Sequence, residues 1–258
     1  MSRESTGIWS ARGKARTILA YYGLEYGAAE YLRDIACDRG LVVLDKAIRG
    51  AEGRLVRLGK RAIATINTSI DHLGKRTFVT AHELGHYELQ HKTHIGCEDA
   101  AFVDWHRNRP EEIEANQFAA ELLMPKHWFI KVVRREPLSL DVIKNIANTC
   151  QVSITATAYR CVELDVFPSA LVFCQSRLIR WFKVSSSFPY KWVPSGQPPD
   201  RYSGAGEYFF YGRVSPTPEQ TPCTAWFLDD NVSPDQSVME QCLPMPNLEA
   251  TLSLIWIP

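Results

Sequence analysis

Two histidines four residues apart, with a glutamate between them, give this chain its clearest capacity for chemistry. The run is His82-Glu83-Leu84-Gly85-His86. On a helix of 3.6 residues per turn, His82 and His86 lie on one face, where two imidazole nitrogens can bind one metal ion. Glu83 lies beside that face, and its carboxylate can act as general base towards a water that the metal acidifies. The pattern indicates a hydrolytic metal site.

The surrounding residues predict that this motif lies on a partly buried helix. Apolar side chains precede and follow it, among them Phe78, Ala81 and Leu89. Thr77 or Thr80 is predicted to cap the start of the helix. A single histidine on such a helix more often satisfies a hydrogen bond in the core. The whole motif favours a metal, on condition that a third ligand exists.

The third ligand is expected on a second element, with a fourth position open for water. Glu111, Glu112 and Glu114 qualify by chemistry. In a helix over residues 111–124, the face that carries Glu112 is small or apolar apart from Asn116. An inward carboxylate needs a partner, which a metal supplies, and Asn116 can orient a ligand. Glu112 is the favoured ligand and Glu114 the alternative, while an ordinary first-turn glutamate is the non-functional interpretation.

A second stripe of the same helix is polar throughout. It consists of Glu114, Gln117 and Glu121, and it is predicted to face water.

A histidine-rich segment separates the two candidate helices. His91, His94 and His106 have no spacing that matches a compact metal site, so exposure in a loop is expected. His94 or His106 is an alternative group for stabilising a tetrahedral intermediate. Cys97 lies between the two motifs and is therefore the first cysteine whose oxidation is worth testing.

Residues 80–86 and 112–125 carry a family resemblance. The second run reads Glu-x-x-Ala-Asn-x-Phe-Ala-x-x-Leu-Leu-Met-Pro and is the more specific of the two. In this order the two runs resemble the ImmA/IrrE family of zinc metallopeptidases. The resemblance covers roughly the first two-thirds of the chain.

The resemblance implies a role for each motif residue. By position, His82, His86 and Glu112 are the metal ligands and Glu83 is the catalytic glutamate. Zinc is the implied cofactor, although manganese or iron can occupy such ligands. The implied activity is that of an endopeptidase on a protein substrate, typically a helix-turn-helix transcriptional repressor cleaved in response to stress.

Two other classes of function fit the same residues. One is a metal-stabilised regulatory module that sequesters a repressor or binds DNA without proteolysis. The other is a partner in a toxin–antitoxin pair. A discrete substrate fragment that disappears with a chelator would distinguish the peptidase from both.

The predicted fold is of the α+β class, with three regions. Residues 1–125 form a helical, zincin-like metallopeptidase core with a small sheet over 41–44, 55–58 and 62–67. In the family such a sheet is one wall of the substrate cleft, which implies an extended peptide bound by edge pairing. Residues 126–164 are a helix-turn-helix-like segment, and residues 165–258 are rich in strands.

DNA recognition by the middle segment has weak support. Only Thr155, Thr157 and Arg160 offer hydrogen-bond donors on the second helix of the pair. In related proteins such a segment is a packing unit, and the structural role is favoured.

The last region contains 12 of the 15 prolines and several short apolar runs. Strands are predicted at 170–174, 178–184, 208–211, 225–228 and 252–257, in a mixed or mostly antiparallel sheet. Some relatives end in a sensor-like domain. The aromatic residues here are expected mainly in the core, with a ligand pocket as the alternative; they include Trp181, Phe182, Trp192, Tyr202, Phe209, Phe210 and Trp226.

Composition limits the other classes of protein. Lysine plus arginine equals aspartate plus glutamate at 29 each, so no basic field attracts nucleic acid. The first 13 residues do not resemble a secretory signal, and no apolar run approaches the roughly 20 residues that a membrane span needs. Seven cysteines without CxxC spacing indicate small buried side chains in a reducing cytoplasm. A soluble cytoplasmic protein without a membrane partner is predicted, and the oligomeric state is left open.

Overall fold

The computed structural model of the protein describes residues 3–58, 61–91, 109–229 and 231–258. The chain forms two compact units, one of residues 1–129 and 146–153, the other of residues 130–145 and 154–258. The first unit contains a three-stranded sheet and the second a five-stranded sheet. The predicted α+β fold with a β-rich C-terminal region is confirmed.

In the described residues, four helices lie wholly within the first unit beside its sheet. The helices are α1 (Arg3–Tyr21), α2 (Leu32–Asp38), α3 (Leu73–Glu88) and α4 (Pro110–Leu123). The strands are β1 (Leu41–Lys46), β2 (Gly53–Leu58) and β3 (Arg61–Asn67), in the order β1-β3-β2. Strand β3 is parallel to β1 and antiparallel to β2, so β2 is an edge strand. Helix α3 packs on the sheet and α4 packs on both α1 and α3.

The start of α3 differs from its prediction. His72 is the N-cap residue, and its side chain accepts a hydrogen bond from the backbone N–H of Lys75. Thr77 and Thr80 lie inside the helix, where their hydroxyls donate to backbone carbonyls four residues earlier. The helix begins at Leu73, before both predicted caps, because a ring nitrogen of His72 satisfies one of the first amides instead.

Two of the three residues in the polar stripe of α4 are buried, which corrects a second prediction. Gln117 is 5% exposed and Glu121 is fully buried. Arg12 Nε donates to Gln117 Oε1 at 2.8 Å, and Arg16 Nε donates to Glu121 Oε1 at 2.7 Å. Helix α1 covers this face and brings its own arginines to the polar side chains. Polarity alone therefore did not indicate exposure.

Three helices follow the first core: α5 (Lys126–Val133), α6 (Leu140–Thr149) and α7 (Ile154–Glu163). Within α7, Thr157 is fully buried and Arg160 is 1% exposed. The Arg160 guanidinium also donates to Glu163 Oε2 at 2.8 Å. Thr157 and Arg160, two of the three hydrogen-bond donors considered for DNA recognition, are thus too buried to contact a DNA duplex.

The second unit is built on an antiparallel sheet. Its strands are β4 (Ser169–Gln175), β5 (Leu178–Val184), β6 (Glu219–Pro222), β7 (Ser237–Met245) and β8 (Ala250–Trp256), in the order β5-β4-β8-β7-β6. Every neighbouring pair is antiparallel. The strands predicted near β4, β5 and β8 are confirmed.

Two predicted strands of this unit are wrong. Residues 208–211 belong to helix α8 (Gly204–Tyr211), which Ser203 caps through its hydroxyl and Gly212 ends with a left-handed φ of 67°. Residue 225 ends a short 3-10 helix (Cys223–Ala225), and residues 226–228 after it form no strand. Strands β6 and β7 were missed because polar residues and prolines interrupt their apolar pattern.

Aromatic side chains form part of the core of the second unit. Trp226 and Phe227 are buried, and the Phe227 ring stacks on Tyr190 at a centroid distance of 5.1 Å. In contrast, Trp192 and Tyr202 are 64% and 68% exposed, so they do not serve the core.

Most cysteines that the structure describes are buried, as predicted; these are Cys150, Cys161, Cys174, Cys223 and Cys242. Burial raises the pKa of Cys150 and Cys161 to about 12, so their reactive thiolate form is rare near neutral pH. Cys37 is exposed. Cys97 lies outside the described residues. No helix in the described ranges is both long and apolar enough to cross a membrane.

A buried carboxylate in the second unit accepts hydrogen bonds from several of its elements. Glu240 of β7 is 3% exposed and accepts hydrogen bonds from Trp226 Nε1 at 2.8 Å and Ser253 Oγ at 2.7 Å. It also accepts from Thr221 Oγ1 at 3.0 Å and from the backbone of Gly204 at 3.1 Å. One side chain thus links β6, β7, β8 and the start of α8.

Replacing Glu240 by Ala is expected to destabilise the second unit by about 3 kcal/mol or more, because each buried donor left unsatisfied costs roughly 1–3 kcal/mol. Denaturant unfolding followed by the fluorescence of Trp226 and the other tryptophans measures the change. Glu219→Ala, at an exposed position of β6, is the matched control. Equal midpoints for the two variants would show that the Glu240 network has no net role in stability.

Candidate metal centre

Helix α3 brings His82 and His86 together in the interior of the first unit. The residues are 3% and 8% exposed, and their rings meet edge to face with centroids 4.6 Å apart. Their Nε2 atoms lie 2.9 Å from each other. The spacing of four residues on one helix face produces this convergence, as the sequence predicted.

The first turn of α4 brings a carboxylate to the same point. Glu112 Oε2 lies 3.2 Å from His82 Nε2, and Glu112 Oε1 lies 3.4 Å from His86 Nε2. One ligand atom from each of the three residues falls within 4.8 Å of the others. The side chain of Glu112 is 24% exposed, whereas those of the histidines are 4% and 10% exposed. The three side chains could hold a metal ion, and the ion would remain accessible to solvent or substrate from the side of Glu112.

Asn116 fixes the orientation of the first histidine. Its Oδ1 lies 2.8 Å from His82 Nδ1. Because an amide oxygen only accepts, His82 Nδ1 carries a proton, and the Nε2 atom is directed towards Glu112 and His86. Asn116 lies one turn after Glu112, where helical phase placed it.

The charges of the group are strongly coupled. Burial lowers the pKa of His82, but the hydrogen bond to Glu112 and the charge of Glu83 outweigh it, so that pKa is raised. Burial lowers the pKa of His86 to about 4, despite its contact with Glu112. Burial would raise the pKa of Glu112, yet the two histidines hold it well below its usual range. The group thus keeps an ionised carboxylate beside an unprotonated His86.

Glu83 lies on the same helix and is fully buried. The start of β2 packs against it: a Cβ added at Gly53 would overlap Glu83 Oε1 and lie 2.9 Å from Val79 Cγ1. Only glycine leaves room for the carboxylate where the sheet meets α3. The end of the helix is also joined to β2, because the Arg57 guanidinium donates to the carbonyls of His86 and Tyr87 at 3.2 and 2.9 Å.

Residues 38–162 match the family model described as the IrrE N-terminal-like domain. The chain carries a domain of the ImmA/IrrE family. The metal-site residues of α3 and α4 all lie within the matched range. A search of curated proteins gives no match.

A solved structure shares the fold of the chain well beyond the matched range. It is a Mycobacterium tuberculosis transcriptional regulator, with a TM-score of 0.64 and 13% sequence identity. The similarity covers 96% of this chain and 76% of that one. At this identity the likeness concerns the fold alone.

A glycine inside the histidine motif lets the two helices of the IrrE N-terminal-like domain approach. A Cβ added at Gly85 would lie 3.0 Å from Phe118 Cδ1 and 3.2 Å from the carbonyl oxygen of Ala115. This close packing of α3 on α4 lets Glu112 and Asn116 reach the histidines. The histidine motif therefore provides two candidate ligands and, through Gly85, the room that α4 needs to pack closely on α3.

His91 and Glu114 occupy positions that the sequence did not indicate. The His91 side chain is only 8% exposed, contrary to the expected loop exposure. Its Nδ1 lies 2.9 Å from His86 Nδ1, and its Nε2 lies 3.1 Å from Glu114 Oε2. Glu114 belongs to no metal group with the two α3 histidines among the described residues. His94 and His106 lie outside those residues.

Replacing Gly53 by Ala is expected to lower any hydrolytic activity that depends on Glu83 about 100-fold while metal binding is retained, because a displacement of about 1 Å in a reacting group costs that much. The measurements are the metal content and the rate of peptide cleavage. Gly13→Ala is the control, since nothing lies within 4 Å of a Cβ at that position. Unchanged cleavage by Gly53→Ala would mean that the position of the Glu83 carboxylate is unimportant.

Proposed function

We propose that this protein is a zinc-dependent endopeptidase that hydrolyses a peptide bond in a protein substrate. The observation that carries the proposal is the convergence of His82, His86 and Glu112, with ligand atoms within 4.8 Å, in a domain of the ImmA/IrrE family. The buried carboxylate of Glu83 lies on the same helix, one residue after His82.

The donor set fits zinc. Two imidazole nitrogens and one carboxylate oxygen are the ligands of many catalytic zinc sites, which keep a fourth position open. His82 and His86 would hold the ion through Nε2 and Glu112 through a carboxylate oxygen. Manganese is a second candidate for the same ligands. When bound, the ion supplies Lewis-acid polarisation of the substrate carbonyl and acidifies a water.

Glu83 is assigned the proton transfers. Its carboxylate accepts the proton of the attacking water and returns it to the amine that leaves when the peptide bond breaks. Burial keeps this carboxylate out of bulk solvent, where it would be screened. The overlap that any Cβ at Gly53 would create supports a restricted position for its side chain.

An extended peptide can bind at the edge of the sheet. Strand β2 is an edge strand, and its first residue, Gly53, contacts Glu83. A peptide paired with β2 through main-chain hydrogen bonds would run past the candidate site. Beside the start of β2 is a cavity of about 820 Å³, whose lining includes Glu52, His72 and Lys75. Glu52 and Lys75 form an ion pair there.

We infer that the substrate is a transcriptional repressor of the helix-turn-helix type and that its cleavage is a regulatory switch, such as a stress response. Membership of the ImmA/IrrE family and the fold shared with a transcriptional regulator support a role in regulation. We place the reaction in the cytoplasm, because free buried thiols persist in a reducing compartment.

The test is incubation of the purified full chain with helix-turn-helix repressors encoded beside its gene. The expected result is one discrete fragment that disappears with a chelator and returns when zinc is added. A stable complex without any fragment would instead indicate a module that sequesters the repressor. A fragment that forms at an equal rate in the chelator would contradict a metallopeptidase.

A further inference from the structure

A chain of polar contacts extends from the second candidate ligand away from the metal position. His86 Nδ1 lies 2.9 Å from His91 Nδ1, and the two rings meet edge to face at a centroid distance of 5.0 Å. His91 Nε2 in turn lies 3.1 Å from Glu114 Oε2. These contacts connect the end of α3 to the first turns of α4. They are separate from the contacts of Glu112 with His82 and His86.

The chemistry of the end group sets the direction of this chain. An ionised carboxylate only accepts, so Glu114 places the proton of His91 on Nε2. The Nδ1 atom of His91 is then an acceptor, and the proton of His86 is held on its own Nδ1. The Nε2 lone pair of His86 is left directed towards His82 and Glu112, as metal ligation requires.

The backbone of α1 restricts the carboxylate at the end of the chain. A Cβ added at Gly7 would overlap Glu114 Oε1 and lie 2.8 Å from Glu114 Cδ. The atoms that would be displaced are the end of a flexible side chain, so a methyl group at this position would move the carboxylate rather than the helix. The geometry at Gly7 is therefore an independent sign that the position of the Glu114 carboxylate depends on α1.

We propose that His91 and Glu114 are positioning residues for His86, which fix its tautomer and ring orientation and raise the affinity of the site for its metal, with Gly7 leaving the space they need. His82 has an equivalent support in Asn116. The proposal rests on the three-residue metal site of the proposed function and adds residues outside the ligand set.

The first test measures the dissociation constant for zinc of the full chain, by competition with a chromophoric chelator. His91→Ala and Glu114→Ala are expected to bind zinc about 10- to 100-fold more weakly than wild type, the usual loss when a supporting partner of a ligand is removed. His91→Asn should recover most of this loss, because its amide oxygen can accept from His86 Nδ1. His127→Ala and Glu111→Ala, both at exposed positions, are the matched controls.

The second test uses two glycines of α1. Gly7→Ala should weaken zinc binding, whereas Gly13→Ala should not, because only Gly7 adjoins Glu114. The visible spectrum of the Co²⁺-loaded proteins should change in His91→Ala and Gly7→Ala, since the orientation of a ligand ring changes. Thermal unfolding of the metal-free proteins separates this effect from a loss of stability, which a purely structural role would produce.

The outcomes distinguish this proposal from the proposed function. If wild type binds zinc and His91→Ala, Glu114→Ala and Gly7→Ala all bind it within twofold of their controls, the supporting role is overturned and the peptidase is not. If wild type binds no zinc, both are overturned. Should His91→Ala fail to fold, Glu114→Ala and Gly7→Ala decide the question by the same measurement.

Discussion

Replacing Glu83 by Gln is expected to lower the rate of substrate cleavage by about 10²- to 10⁴-fold and to leave zinc binding nearly unchanged, because general-base catalysis contributes that much. Glutamine has the size of glutamate, but its amide cannot accept the proton of the attacking water. Glu83 contributes no atom to the group of three candidate ligands. The loss should therefore appear in kcat rather than in the zinc content.

The measurement pairs zinc content with single-turnover cleavage of the identified repressor. Glu111→Gln is the control, since Glu111 is exposed in the first turn of α4. Cleavage by Glu83→Gln at the wild-type rate would contradict the assigned role of Glu83. Loss of zinc from Glu83→Gln would instead make this residue part of the metal site.

The second large effect is expected for His82→Ala, which should lose both the metal and the activity. Structural zinc sites bind with about 10–16 kcal/mol, so one of three protein ligands accounts for several kcal/mol and its loss weakens binding by on the order of 10³-fold. His82 is also the ligand that Asn116 orients. Its removal leaves the Asn116 oxygen and the Glu112 carboxylate without this partner.

Competition with a chelator of known zinc affinity measures this effect, with His127→Ala as the control. Asn116→Ala should fall between wild type and His82→Ala, since it removes only the orienting contact. Equal zinc affinity for His82→Ala and wild type would place the metal elsewhere in the chain.

The essential part of the candidate site followed from the sequence because it depends on local geometry. Four-residue spacing brought His82 and His86 together, and helical phase placed Glu112 and Asn116 on an inward face. The two histidines lie on α3, and Glu112 and Asn116 lie on α4. Only the close packing of α3 on α4 therefore depends on the rest of the fold. Gly85 permits this close packing, but the sequence alone does not show it, because the atoms that a side chain at Gly85 would meet belong to Phe118 and Ala115, about 30 residues away.

The incorrect predictions depend on contacts distant in the chain. Glu121 is polar and was expected in water, yet Arg16 of α1 covers and pairs with it. The polar segment around His91 predicts an exposed loop, but the partners of His91 are His86 and Glu114 on two helices. Helix α8 and strand β7 were misjudged because aromatic and interrupted patterns do not distinguish helix from strand in short segments. For Glu121 and His91, the deciding partner is a residue that periodicity cannot identify.

The most direct test of the account is a crystal structure of the full chain grown with zinc, with anomalous diffraction recorded at the zinc absorption edge. The account predicts one strong peak at about 2.0–2.2 Å from His82 Nε2, His86 Nε2 and an oxygen of Glu112. It also predicts that Glu114 makes no contact with the ion and still accepts from His91. A peak at another set of residues, or ligation by Glu114 in place of Glu112, would contradict the proposed metal centre.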